Sequence, residues 1–145
     1  MAMFFVPGVP ATKGSWKVMR GKLRPDNERE KPWALAVAWS AKAARVVQAD
    51  GAVRVEIACY FPRPKKPTNP FPSRNDVDKL ARSTLDALTG IAWADDQQVV
   101  ELEVRKAYTD EQQPNPGAWV TLRTRREVPE NRDQTGLNPG VGGGR

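Results

Sequence analysis

The chain has 145 residues with no histidine, one cysteine and a formal net charge of +6. This length allows one domain with a modest core. Without histidine, Ser-His-Asp and Cys-His catalysis and the usual zinc ligand are excluded, and one cysteine excludes an intramolecular disulfide or a cysteine-based zinc cluster. A hydrolase of this composition would have to activate water with a carboxylate-bound hard cation or a lysine. The basic balance favours a nucleic-acid partner or an anionic surface.

Membrane insertion and secretion are not expected. No stretch approaches the roughly 18 apolar residues that a membrane helix needs, and the first residues lack the basic and apolar regions of a signal peptide. We therefore expect a cytoplasmic protein with no membrane partner.

In the first half of the chain, the patterns predict a strand, a basic loop and a helix. A short apolar run at residues 3–6 ends at a Pro-Gly turn. Residues 9–31 are loop-rich and basic, with room for a short strand at 15–19. A helix is expected from Pro32 to about Asp50. Its predicted buried face comprises Trp33, Val37, Ala41, Ala44 and Val47 or Gln48.

In the second half, strict alternation at residues 52–61 predicts a half-buried strand. A proline-rich basic loop follows at 62–75. The next helix is expected to end near residues 89–90, and two strands follow, one of about ten residues around Leu102 and one at 118–125. The predicted apolar face of this helix comprises Val77, Leu80, Ala81, Thr84, Leu85 and Leu88, and that of the longer strand Val100, Leu102 and Val104.

This order predicts a single α+β domain at residues 1–126, with a mixed β-sheet of about four to five strands and two main helices. A strand-helix-strand crossover favours parallel pairing, and the last two strands are expected to form a hairpin. Residues 127–145, which are rich in glycine and contain arginine, are expected to form a disordered tail.

Acidic residues are concentrated in one part of this basic chain. Residues 76–111 contain nine Asp or Glu and four Lys or Arg, so the remaining residues carry +11. Within this part, Asp76 and Asp78 open the second helix, and Asp95 and Asp96 follow it. We expect the loop after the helix to bring these carboxylates together, where their repulsion favours a bound cation. The alternative is that Asp76 caps the helix and Asp78 interacts with its dipole.

Cations near this acidic group are candidates for binding phosphate. Arg82 and Lys79 could offset charge on a reacting phosphate, whereas the alternative for Arg82 is an ordinary ion pair with Asp78 and Asp86. Phe71 is a candidate DNA wedge, or alternatively pins its loop to the core. The predicted DNA-binding residues are Lys13, Lys17, Arg63, Lys65, Lys66, Arg74 and Lys79.

The sequence resembles the RusA family of Holliday junction resolvases. The resemblance rests on DVDKL at residues 76–80, LDAL at 85–88 and WADDQQV at 93–99, together with FVPGVPATKG at 5–14. These segments span most of residues 4–125. An Asp-x-Asp followed at this spacing by Asp-Asp-x-Gln-Val is far more specific than either half.

The resemblance implies a homodimeric endonuclease that uses Mg²⁺, with Mn²⁺ as a substitute, and makes paired symmetric nicks in four-way DNA junctions. It implies a metal site at Asp76, Asp78 and Asp96 and a bacterial or phage source, and Asp95 is a further candidate ligand of that metal. The family's catalytic lysine falls on Arg82, which can stabilise phosphate charge but is a very poor proton donor or acceptor. Either Arg82 keeps the electrostatic part of that role, or Lys79 takes the role over. The alternatives are a junction-binding module with weakened cleavage and a small basic RNA-binding protein.

Overall fold

The computed structural model describes residues 1–13, 16–19, 21–25 and 29–124. The predicted tail at 127–145 lies outside these residues. The fold is a single α+β domain with a four-stranded mixed sheet and two helices, as predicted. The elements are β1 (Ala2–Pro7), β2 (Trp16–Met19), β3 (Lys22–Pro25), α1 (Glu30–Ala43), β4 (Val53–Phe61), α2 (Val77–Leu88), a 3₁₀ turn (Asp96–Gln98), β5 (Val99–Tyr108) and β6 (Gly117–Thr124).

The main sheet has the strand order β1-β6-β4-β5. β4 and β5 are parallel, which confirms the crossover prediction. The predicted hairpin between the last two strands is wrong, because β6 pairs antiparallel with both β4 and β1. This position gives β6 a hydrogen-bonded neighbour on each side and leaves β5 as an edge strand.

The basic segment before α1 contains more regular structure than predicted. The short strand expected at 15–19 is confirmed over Trp16–Met19, and it pairs antiparallel with Lys22–Pro25, a strand that was not predicted. The resulting hairpin forms a separate two-stranded sheet.

The core lies between one face of the sheet and the two helices. The strand at 52–61 has the predicted alternation, with Val53, Val55, Ile57, Cys59 and Phe61 all buried. The helices are joined through a buried hydrogen bond of 3.3 Å, which the indole N–H of Trp33 donates to Thr84 Oγ1. α2 buries Leu80, Ala81, Ser83, Thr84 and Leu88.

The first helix is shorter than its sequence pattern suggests. Trp33, Val37 and Ala41 are buried as predicted, but α1 ends at Ala43 and Ala44 is exposed. Arg45 has a φ of 58°, a left-handed conformation that ends the helix. Val47 is consequently 84% exposed and Gln48 is also exposed, so their placement on the buried face was wrong.

Two further predicted apolar faces are less buried than expected. Val77 in the first turn of α2 is 41% exposed, and Val100 and Leu102 in β5 are 58% and 45% exposed. β5 lies at the edge of the sheet, and its register with β4 shifts at Val53 and Arg54. An edge position therefore leaves apolar side chains uncovered that alternation alone predicts to be buried. Within the described ranges, no helix has the length and apolar character needed to cross a membrane.

Candidate metal and DNA site

The first pair of aspartates lies at the start of α2. Asp76 occupies the N-cap position, yet its side chain accepts no capping hydrogen bond and is 66% exposed. Asp78 is in the first turn and is also exposed. The alternative that Asp76 caps the helix therefore holds for its position but not for its hydrogen bonding. Its carboxylate instead lies 3.8 Å from the ammonium of Lys79, a pair of largely exposed groups.

Arg82 lies one turn further along α2 and is exposed. Its guanidinium forms no ion pair with another residue of the described ranges, so the alternative of an ordinary ion pair with Asp78 and Asp86 is not found. Asp86 lies instead 3.3 Å from the ammonium of Lys13. This arrangement leaves Arg82 available for an anion that approaches the start of α2.

Lys13 was predicted to bind DNA, but its charge is engaged within the chain. Its ammonium lies 3.2 Å from Glu30 and 3.3 Å from Asp86. The hydrogen bond to Glu30 and, to a smaller extent, the one to Asp86 raise the pKa of Lys13 above its usual value. The backbone N–H of Lys13 also donates to the carbonyl of Lys79 at 3.0 Å. Lys13 thus joins the N-terminal segment to the first turn of α2.

The second pair of aspartates lies beyond the other end of α2. Asp95 precedes the 3₁₀ turn, and its side chain accepts a hydrogen bond of 2.9 Å from the backbone N–H of Gln97. Asp96 is the first residue of that turn, and its carboxylate is exposed. Asp95 therefore has a structural role that Asp96 lacks among the described contacts.

The prediction that all these carboxylates converge within one chain was wrong. α2 has 12 residues and spans roughly 18 Å. Because β4 and β5 are parallel, α2 runs back against them, which places Asp76 near the end of β5 and Asp96 at its beginning. Accordingly, no group of three or more His, Cys, Asp or Glu side chains in the described part of the chain is arranged to hold a metal ion.

Asp76 and Asp78 nevertheless have the right donor chemistry for Mg²⁺. Both present exposed carboxylates, and the side chain of Asp76 is not used for capping. Mg²⁺ prefers oxygen ligands, retains several waters and is often held by one or two protein carboxylates plus substrate phosphates. A pair of carboxylates at one helix start fits that mode of binding without a third ligand from the same chain.

The proline-rich loop at 62–75 leads directly into this helix start. Arg63, Lys65, Lys66 and Arg74 are all exposed on it, and the guanidinium of Arg63 lies 6.0 Å from the ring centre of Tyr108. Phe71 is 56% exposed, so it is not pinned to the core. Of the predicted DNA-binding residues, only the side chain of Lys17 lies outside the described part of the structure.

Two residues beside the aspartates were not predicted to contribute. The Lys106 ammonium reaches from β5 to the backbone immediately before Asp76, and the Gln98 side chain holds the turn that carries Asp95 and Asp96. The sequence does contain a signal for Lys106. Lys106 continues the alternation of Leu102 and Val104, which places a lysine on the predicted apolar face of a strand.

The profile of the endodeoxyribonuclease RusA family matches residues 7–122. The match begins near the end of β1 and extends through both helices and both aspartate pairs into β6. No curated protein matches the chain. Since the matched segment covers most of the sequence, including both helices, β4, β5 and most of β6, the chain belongs to the RusA family of endodeoxyribonucleases.

Proposed function

We propose that this protein is a Mg²⁺-dependent, structure-selective endonuclease that resolves four-way DNA junctions by paired symmetric nicks. Membership of a nuclease family that acts on Holliday junctions provides the reaction class. The observation that carries the assignment to this site is the start of α2, where the exposed Asp76 carboxylate occupies a cap position without capping the helix.

In this proposal Asp76 and Asp78 hold the metal ion at the scissile phosphate. When bound, Mg²⁺ would polarise a phosphate oxygen and lower the pKa of a coordinated water. The reaction adds water across one phosphodiester bond, so the phosphorus–oxygen bond to the leaving strand end breaks and that end receives a proton. Arg82 and Lys79, which lie on the same helix, would offset charge on the phosphate. Arg82 acts electrostatically, since its guanidinium stays protonated.

The basic loop at 62–75 supports recognition by shape. Its exposed cations Arg63, Lys65, Lys66 and Arg74 lie in the segment that leads into Asp76, where phosphate contacts would fix the strand without reading bases. Phe71, exposed on the same loop, is proposed to insert at the branch point, where base stacking is already interrupted.

We further propose that the active form is a homodimer and that Asp96 of one chain joins Asp76 and Asp78 of the other. Within one chain, roughly the length of α2 separates the pairs, so one site can use both only if two chains contribute. A two-fold dimer would also present two equal sites to the equivalent strands of a junction.

The first test compares cleavage of a labelled four-way junction and a linear duplex with Mg²⁺ or EDTA. Paired Mg²⁺-dependent nicks near the branch are expected for the wild type and not for Asp76→Asn. Binding to the branch without nicking would favour the second candidate, a junction-binding module, which the arginine at position 82 supports; Arg82→Lys would then be the variant that regains cleavage. Equal binding to linear duplex without cutting would overturn both.

A mixing experiment tests the shared site. Asp76→Asn and Asp96→Asn are each expected to be inactive as homodimers. In a mixed dimer with shared sites, one site contains both substitutions and the other contains neither, so single nicks return. If each site is built within one chain, the mixture has no intact site and stays inactive.

A further inference from the structure

Lys106 connects the edge strand to the backbone that precedes the first aspartate pair. It lies opposite Cys59 in the pairing of β5 with β4. Its ammonium donates hydrogen bonds to the carbonyl oxygens of Arg74 at 3.2 Å and Asn75 at 3.1 Å. These contacts bridge 32 and 31 positions of sequence, so they tie the end of the proline-rich loop to the sheet.

The backbone at this point adopts a conformation that needs such support. Asn75 has a φ of 68°, in the left-handed region, which asparagine tolerates better than most residues but which is still uncommon. Asp76 follows with a φ of −60° and a ψ of 135°, and its side chain provides no capping bond. The orientation of Asp76 at the end of the loop therefore depends on contacts to the carbonyl groups of the residues that precede it.

We propose that Lys106 is a positioning residue that fixes the Arg74–Asn75 turn and thereby places the Asp76 carboxylate for metal binding. Only the expected effect of Lys106 on metal-dependent cleavage rests on the proposed function; its effect on the turn does not. A charged donor to a carbonyl makes a stronger hydrogen bond than a neutral one, and Lys106 makes two of them on adjacent residues. Replacing Lys106 by a side chain without donors releases the turn while α2 stays packed through its buried residues.

The positioning role can be measured in the metal-free protein without any cleavage assay. Lys106→Met is expected to increase amide exchange at Leu80, whose N–H makes the first helical bond to the carbonyl of Asp76 at 3.0 Å. An increase of roughly tenfold matches the contribution of a hydrogen bond with a charged donor. Arg105→Met is the matched control, because it removes the same charge from the adjacent residue, whose side chain faces the other side of the sheet.

The metal dependence separates positioning from a merely structural or phosphate-binding role. For Lys106→Met, the Mg²⁺ concentration at half-maximal cleavage should rise several-fold, while junction binding in EDTA stays near that of wild type. Lys106→Arg retains donors for both carbonyls and should restore the exchange rate and the Mg²⁺ midpoint.

Three results would overturn the proposal. Unchanged exchange at Leu80 would show that the turn does not depend on Lys106. A loss of junction affinity with an unchanged Mg²⁺ midpoint would assign Lys106 to the phosphate backbone. A reduced active fraction with an unchanged Mg²⁺ midpoint would indicate that Lys106 contributes only to the general stability of the protein. If the wild type does not cleave at all, the proposed function fails, and the exchange measurement still decides the role of Lys106.

Discussion

The side chain of Gln98 holds Asp95 at the turn that carries the second aspartate pair. Gln98 Oε1 accepts hydrogen bonds from the backbone N–H groups of Asp95 at 3.1 Å and Ala94 at 2.9 Å. Its Nε2 donates to the carbonyls of Ala49 at 2.9 Å and Gly51 at 3.0 Å. One amide side chain thus joins the turn before β5 to the segment before β4, which fixes where Asp95 and Asp96 lie relative to the sheet.

Removing that amide should destabilise the protein and weaken cleavage together. Gln98→Leu loses all four hydrogen bonds. We expect the free energy of unfolding to fall by about 2 kcal/mol, because several of the backbone groups that bonded to Gln98 would be only partly hydrated by water in the variant. Denaturant unfolding measures this value. Gln97→Leu is the matched control, since Gln97 is exposed and contributes to the turn through its backbone N–H. Equal losses in the two variants would contradict the role given to Gln98.

The adjacent aspartates Asp95 and Asp96 should respond differently to substitution. Asp95→Ala removes the acceptor for the Gln97 N–H and should cost about 1 kcal/mol of stability, as for other lost caps. Asp96→Asn should leave the free energy of unfolding unchanged and lower cleavage by roughly a hundredfold or more, since a metal supplies several kcal/mol of charge stabilisation. Unfolding curves and single-turnover cleavage on the same samples separate the two effects. Full activity in Asp96→Asn would exclude Asp96 from the proposed metal site.

DNA binding should depend on the basic loop more than on Lys13. Replacing Lys65 and Lys66 with glutamine should reduce the slope of log affinity against log salt by about 1.8, the value for two lost phosphate contacts. Lys13→Gln should change this slope less, because its ammonium already pairs with Glu30 and Asp86. The measurement is junction binding in EDTA across a range of salt concentrations.

The control for this experiment removes the same charge elsewhere. Lys42 is exposed near the end of α1 and Arg45 is exposed just after it. Replacing both with glutamine should leave the salt slope nearly unchanged. If this pair lowers the slope as much as Lys65 and Lys66 do, binding depends on net charge and the loop has no special role.

Local patterns predicted elements well and their mutual arrangement less well. The alternation of Val53, Val55 and Ile57 specifies a half-buried strand wherever it pairs, because side-chain direction is a property of the strand itself. The pairing of β6 with β1 and β4 does not follow from the pattern of any one strand. The position of a strand within a sheet depends on how all the strands pack together.

The distance between the aspartate pairs illustrates the same limit. The sequence shows that a helix separates Asp76 from Asp95, but the separation in space follows from the direction of α2 against parallel strands. The short loop after the helix suggested that the chain returns to the start of that helix. The structure instead uses that loop to enter β5 at the opposite end, and the carboxylates remain apart. Side-chain contacts across long sequence separations, such as Lys106 with Asn75, depend on that arrangement as well.

The buried thiol of Cys59 predicts a pH dependence of stability. Burial raises the pKa of Cys59 from 9.0 to about 12. Above pH 9 the thiol ionises in the unfolded chain but stays neutral in the folded one, so the unfolded state binds fewer protons and the free energy of unfolding falls as the pH rises toward 12. A pKa difference of about three corresponds to a loss of up to about 4 kcal/mol.

Cys59→Ala isolates this contribution from other groups that titrate at high pH. The variant is expected to be less stable at pH 8, because it leaves a small cavity in the core, but to lose less stability between pH 9 and 11 than the wild type. The same burial should keep the native thiol unreactive toward an alkylating reagent until the protein unfolds. Parallel stability curves for the two proteins above pH 9, together with rapid alkylation under native conditions, would place Cys59 outside the core.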